Sequence, residues 1–176
     1  MTDPGRLARQ REQLTRWVRD HGQAVQGFLQ ALVRDRDVAE DLLQEVFCRA
    51  WQARDRYREV GKERGYLLRI ADRLACDKAR RPRREQVLAV ADWQRIEPAA
   101  DADPPWEGMA RSESHRQLAA ALDALSEPQR RTLLLRFFGN LEFSEIAAVL
   151  DCPLNTVLSH NRRGLIALRQ LLQEKS

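Results

Sequence analysis

The chain of 176 residues carries 30 Lys or Arg against 26 Asp or Glu, a formal charge of +4, with 43% hydrophobic and 32% charged residues but only 8 Gly and 7 Pro. Long stretches can therefore stay helical without breakers, and because no apolar run approaches the ~20 residues of a membrane span, a cytoplasmic location is expected. Three scattered cysteines, three scattered histidines and the lack of a glycine-rich phosphate loop or nucleophile elbow point away from a metal site, a cofactor and an enzyme.

Taken in chain order, Trp17, His21, Val25, Phe28 and Leu32, with Val18 and Leu29 beside them, recur at helical spacing. They predict an amphipathic helix from about residue 8 to 33. A second helix is expected after "RDRDVAED", capped by Asp37 with Glu40 three positions on, as in a capping box. Its apolar face is Val38, Leu42, Val46, Phe47, Ala50 and Trp51. On the opposite side Asp41, Gln44, Glu45 and Cys48 form an acidic, amide-rich stripe. Such a stripe cannot bind DNA; it is either an ordinary solvated face or a docking face for a basic protein.

A loop with Gly61 and Gly65 leads to a third helix, about 64 to 81, burying Leu67, Ile70, Ala71 and Leu74 and ended by Pro82. Residues 62 to 84, opening with Lys62, hold nine Lys or Arg against three acids, whereas residues 85 to 113 hold seven acids against two Arg. A basic block followed by an acidic one suggests that the first meets a polyanion. Arg69 and Arg73 lie one turn apart, and Arg80, Arg81, Arg83 and Arg84 continue the track, with Tyr57 and Tyr66 flanking the loop before it. Aromatic groups beside a cationic track suit single-stranded nucleic acid; two core tyrosines beside a solvated face fit the same residues.

Periodicity is lost from about 82 to 111, where "IEPAADADPPWEG" has the composition of a linker, although Trp93 and Trp106 could dock on a surface. It returns with Leu118, Leu122 and Leu125. Ser126 and Gln129 then form a second capping box for a helix that buries Leu133, Leu134 and Phe137 and stops at Gly139. Next, "FSEIAAVLDCPLNTVLSHNRRGL" predicts a helix-turn-helix. Ile146, Ala147 and Leu150 pack its first helix; Val157, Gly164, Leu168 and Leu171 line the inside of the second. Asn155, Thr156, Ser159, His160, Arg162 and Arg163 are left to point outward or sideways, with the chemistry to touch base edges and phosphates in a major groove. The fold class that results is all-α: two small helical domains joined by a linker.

Four stretches, "DVAEDLLQEVFCRAW", "YLLRIADRLACDKARR", "ALDALSEPQRRTLLLRF" and the helix-turn-helix, closely resemble, in that order, the extracytoplasmic function subgroup of bacterial sigma-70 family factors. The resemblance spans about residues 10 to 172. It implies a region 2 over 10–81, a linker over 82–111 and a region 4 over 112–172. It further implies a subunit that binds core RNA polymerase, at its clamp helices and flap, and directs promoter recognition and transcription initiation, with an anti-sigma protein as a further expected partner. By the same resemblance Asp41, Gln44, Glu45 and Cys48 meet the polymerase. Tyr57, Lys62, Tyr66, Arg69, Arg73 and Arg80 capture the melted minus-10 strand, and the six outward residues of the last helix read the duplex at minus-35. The chain departs from the family pattern at Tyr66, where Trp is usual, at Asp151 for Gly, at His160 for Arg and at Leu158 for Lys. His160 and Leu158 keep open the reading of a sigma-like decoy that binds an anti-sigma regulator without touching DNA, and a helix-turn-helix regulator that acts without polymerase is a second alternative.

Overall fold

A computed structural model of the chain describes residues 4–57, 61–80 and 105–173. The described residues form seven helices and no strand: α1 (Pro4–Val33), α2 (Arg36–Gln52), α3 (Glu63–Arg80), α4 (Pro105–Asp123), α5 (Glu127–Phe137), α6 (Phe143–Leu150) and α7 (Leu154–Gln173). Helices α1 to α3 pack on one another as an N-terminal bundle, and α4 to α7 make a C-terminal one, so the all-α, two-bundle expectation holds. Pro82, Trp93 and Arg81, Arg83 and Arg84 lie outside the described residues.

The N-terminal core is built from Trp17, Val25, Phe28 and Leu29 of α1, Ala39, Leu42, Val46 and Ala50 of α2, and Leu67, Ala71 and Leu74 of α3. Each fully buried Leu, Val or Phe contributes about 1.5–3 kcal/mol relative to exposure, so the apolar stripes, far more than helix propensity, hold the three helices together. Four details differ from the sequence reading. The cap of α2 is Asp35, not Asp37: its backbone is extended and its carboxylate accepts the Val38 N–H at 3.0 Å. Arg34, the residue before it, turns the chain with a φ of 58°. Glu40 then has no capping task and accepts from Arg36 Nε at 3.0 Å. Helix α1 starts at Pro4, before residue 8, and α4 starts at Pro105, within the stretch read as linker.

In the C-terminal bundle the Ser126 cap is present, with the Ser126 N–H donating to Gln129 Oε1 at 3.4 Å. The helix it opens buries Thr132, Leu133, Leu134 and Leu135 but leaves Phe137 65% exposed, contrary to expectation. Three consecutive buried leucines mean a helix covered on more than one side: α6 and α7 pack on α5 from its own bundle and α1 packs on it from the other. The residue that reverses the chain after α5 is Asn140, with a φ of 50°, and Gly139 serves closeness instead. A Cβ there would lie 2.5 Å from the Leu135 carbonyl oxygen and 2.8 Å from Leu68 Cδ1 of α3.

The two bundles are thus joined by a seam. Helix α3 packs on α6 and α1 on α5, and buried residues of both bundles belong to one continuous apolar cluster. At its centre Asp72 of α3, 1% exposed, accepts from Arg131 of α5 through both carboxylate oxygens, Nε to Oδ1 at 2.7 Å and Nη2 to Oδ2. Burial works against the Arg131 charge, but the hydrogen bond and charge of Asp72 outweigh it and hold the guanidinium pKa above its ordinary value. Arg131 also pairs with Glu127 at 3.5 Å, and Cys76, one turn beyond Asp72, lies 3.9 Å from the same Glu127 oxygen. At the edge of the seam, Arg34 donates to the Ala119 carbonyl and pairs with Asp123 at 2.7 Å.

Candidate nucleic-acid interface

Three surfaces carry the residues singled out in the sequence. On α2, Asp41, Gln44, Glu45 and Cys48 are all exposed. Glu45 accepts from Arg49 Nε at 2.7 Å across one helical turn, which partly neutralises it. Gln44 and Cys48 border a groove between α1 and α2 whose other lining residues are Val18, Arg19, Gly22, Gln23, Gln26, Leu43 and Phe47. Val18, read as one of the core-facing residues of α1, is instead 46% exposed on this groove. Adjacency to Trp17 gave no warning of this, since the adjacent Phe28 and Leu29 of the same helix are both fully buried.

The second surface runs along α3. Tyr57 and Tyr66 meet each other and Trp17 in a three-ring cluster: Trp17 to Tyr57 edge-on at 5.2 Å, Tyr57 to Tyr66 at 4.7 Å and Trp17 to Tyr66 at 5.9 Å. Aromatic pairs at these separations add about 0.5–1.5 kcal/mol each beyond area burial. The two tyrosines are half-buried, and burial pushes the Tyr66 hydroxyl pKa up, so this hydroxyl stays protonated. The structure therefore joins the loop before α3 to α1 through the same rings that the sequence offered to unpaired bases. Lys62, Arg73 and Arg80 are exposed, whereas Arg69 is half-buried with its Nε unpaired.

The third surface is the start of α7. Asp151 takes up the left-handed conformation at φ 52°, ψ 50°, tolerated at modest cost by an Asp side chain, and turns the chain sharply between α6 and α7. Pro153 follows, and its carbonyl accepts the Thr156 and Val157 N–H groups at 2.9 and 3.2 Å, so α7 begins at once. Val157 and Gly164 are buried; a Cβ on Gly164 would stand 3.1 Å from Leu133 Cδ1, so α7 lies close against α5. That approach fixes which side of α7 faces out. Asn155, Arg162 and Arg163 are exposed, while Thr156, Ser159 and His160 are half-buried. Arg163 is steadied by Ser159, donating to its Oγ from Nε at 3.1 Å and from Nη2 at 2.6 Å. Leu158 is 40% exposed among these polar groups. Asn161, on the edge of the inner stripe, has a buried Oδ1 with no hydrogen-bond partner.

Comparison with known proteins gives this arrangement its class. A family model for sigma-70 region 2 matches residues 17–85, and one for sigma-70 region 4 matches residues 115–168. The ECF RNA polymerase sigma factor SigX of Bacillus subtilis is 32% identical over 153 residues, covering 84% of this chain and 79% of that protein. The ECF sigma factor SigK of Mycobacterium bovis is 29% identical over 191 residues, covering 98% of each. Among solved structures, the sigma factor RpoE in complex with the anti-sigma factor NepR from Bartonella quintana shares the fold, with a TM-score of 0.67 at 23% identity over 93% of this chain and 96% of that one. The chain belongs to the sigma-70 family, in its extracytoplasmic function group, and is a sigma factor of RNA polymerase and not an enzyme.

Proposed function

We propose that this sigma factor works as a two-handed grip whose hands are the bundles ending at Arg80 and beginning at α4. The α1–α2 groove, with Gln44 and Cys48 on its border and Asp41 and Glu45 along the same exposed helix, docks on the clamp helices of core polymerase, while the C-terminal bundle meets the flap. Lys62, Arg69, Arg73 and Arg80, beside the Tyr57 and Tyr66 rings, hold the melted minus-10 strand. Asn155, Thr156, Ser159, His160, Arg162 and Arg163 read the minus-35 duplex. Strand opening is driven by binding: contacts to unpaired bases offset ~1 to 2 kcal/mol of stacking per step, and no hydrolysis is involved. Action in the cytoplasm follows from this role. An anti-sigma protein is a fitting partner by analogy with the Bartonella complex.

The observation that carries this reading is the separation of roles by surface. An acidic, groove-bearing face on α2 and a cationic row on α3 occupy different helices, leaving the start of α7 free for duplex DNA. Run-off transcription with purified core enzyme tests it. The wild-type chain is expected to direct promoter-specific transcripts, and Arg69→Ala with Arg73→Ala to lower them at least tenfold. An unchanged yield from the double variant would remove α3 from the mechanism, and no transcript from the wild type would favour a decoy.

A further inference from the structure

We infer that Leu158 is a specificity residue of the duplex-reading surface, and that it meets the C5-methyl group of a thymine in the minus-35 element. This rests on the minus-35 role proposed for α7 and names the base that the chain selects there by an apolar contact.

Single leucines on a surface mean little, but this one is not single. Of the eight large apolar side chains exposed among the described residues, four, Leu154, Leu158, Leu165 and Ile166, belong to α7. At about 100° per residue, Leu154, Leu158 and Leu165 fall within about 40° of one another and form one apolar stripe. The inner side of α7 is already filled: Val157 and Gly164 are buried, the glycine against Leu133 of α5, and Leu168 and Leu171 pack on the core. The stripe is left over once the bundle is built.

The neighbours of Leu158 decide what it meets. Asn155 lies one turn before it and Arg162 one turn after, at spacings of three and four residues that set all three along one side of the helix. Both neighbours are exposed, and they carry the amide and guanidinium that pair with adenine and guanine edges. A leucine between them is carried to the base edges with them, in the second turn of α7, within the part of a recognition helix that enters the major groove. In that groove the thymine methyl is the one apolar group on display. Against any other edge the leucine strips water from a donor or acceptor and returns no hydrogen bond. Covering one methyl is worth about fourfold in binding. Leu165 lies about 10 Å further along the helix axis, past the groove-entering part, and serves as a control on the same stripe.

A methyl scan of holoenzyme binding tests this assignment. The full chain on core polymerase selects duplexes from a pool randomised at both promoter elements. Each thymine of the enriched minus-35 element, on either strand, is then replaced by deoxyuridine, which removes the methyl and nothing else. The wild type is expected to lose about fourfold in affinity at one such position or at two adjacent ones. Leu158→Ala is expected to bind the thymine and uracil duplexes alike, and Leu165→Ala to keep the preference. Leu158→Lys is expected to lose it while steepening the fall of log affinity with log salt by about 0.9, the signature of one added phosphate contact. An enriched element without thymine, a flat scan with the wild type, a preference that survives in Leu158→Ala, or one lost equally in Leu165→Ala would each overturn the inference. Asn155→Ala and Arg163→Ala on the same duplexes tell this failure from a deeper one. If they weaken binding while the methyl scan is flat, the error lies with Leu158 alone; if they too change nothing, α7 does not read the duplex and both proposals fall.

Discussion

Cys48 and Cys76 show how the same side chain takes opposite characters from its surroundings. Cys48 is exposed at the border of the α1–α2 groove, whereas Cys76 lies half-buried in the seam, where burial, and then the Asp72 charge, push its thiol pKa up. Since the thiolate is the reactive species, a limiting dose of a maleimide is expected to label Cys48 well before Cys76, as mapped by peptide mass spectrometry. The adduct on Cys48 is expected to lower core binding at least tenfold, and Cys48→Ser to leave binding unchanged but abolish the effect of the reagent. Labelling that spares core binding would place the docking face elsewhere. At this scale much was legible, because exposure along α2 follows from helical period: Asp41, Gln44, Glu45 and Cys48 had to face away from Leu42 and Val46. What was not legible is choice between neighbours. "RDRD" offers two aspartates that could cap α2, and only the extended backbone at Asp35 decides between them.

Among the elements, α1 carries a group that resists protonation in the field of α3. His21 of α1 has its Nδ1 buried without a partner, and burial, with Arg64 of α3 adding to it, lowers its pKa below the ordinary 6.5. Glu63 and Asp20 pull the other way without prevailing. The folded chain thus refuses a proton that the unfolded chain accepts, so stability is full above about pH 6.5 and falls as the solution is acidified through the folded pKa. Thermal melts at pH 7.5 and pH 5.5 are expected to show a larger drop in midpoint for the wild type than for His21→Gln. Equal drops would assign the acid sensitivity to other groups. Helix existence and order were readable from apolar spacing, but the start of α4 was not: the double proline before Trp106 is a helix-opening signal, and the Pro, Ala and acid-rich composition around it looked like linker.

At the scale of the whole molecule, the shared core has a thermodynamic consequence. Leu67 and Leu68 of one bundle and Leu134, Leu135 and Leu141 of the other are buried in one cluster, so neither bundle can unfold without uncovering its neighbour. Calorimetry of the wild type is expected to give a single endotherm whose calorimetric and van't Hoff enthalpies agree. Arg131→Ala is expected to separate it into two. Two endotherms from the wild type would mean that the seam is too weak to couple the bundles. The ion pair at the seam was not legible beforehand. Asp72 and Arg131 are 59 residues apart and each suits a solvated helix face when its own bundle is considered alone. The three leucines in a row at 133–135 were the available sign that α5 is sandwiched.

Gly139 gives the seam an unusual genetic fragility. Its bare backbone lets Leu68 nestle where a single carbon would intrude, so any replacement acts as a wedge, prying at the join or at the turn beneath it. One altered base in that glycine codon can thus strain the join of the two bundles, at a position two helices away from the start of α7.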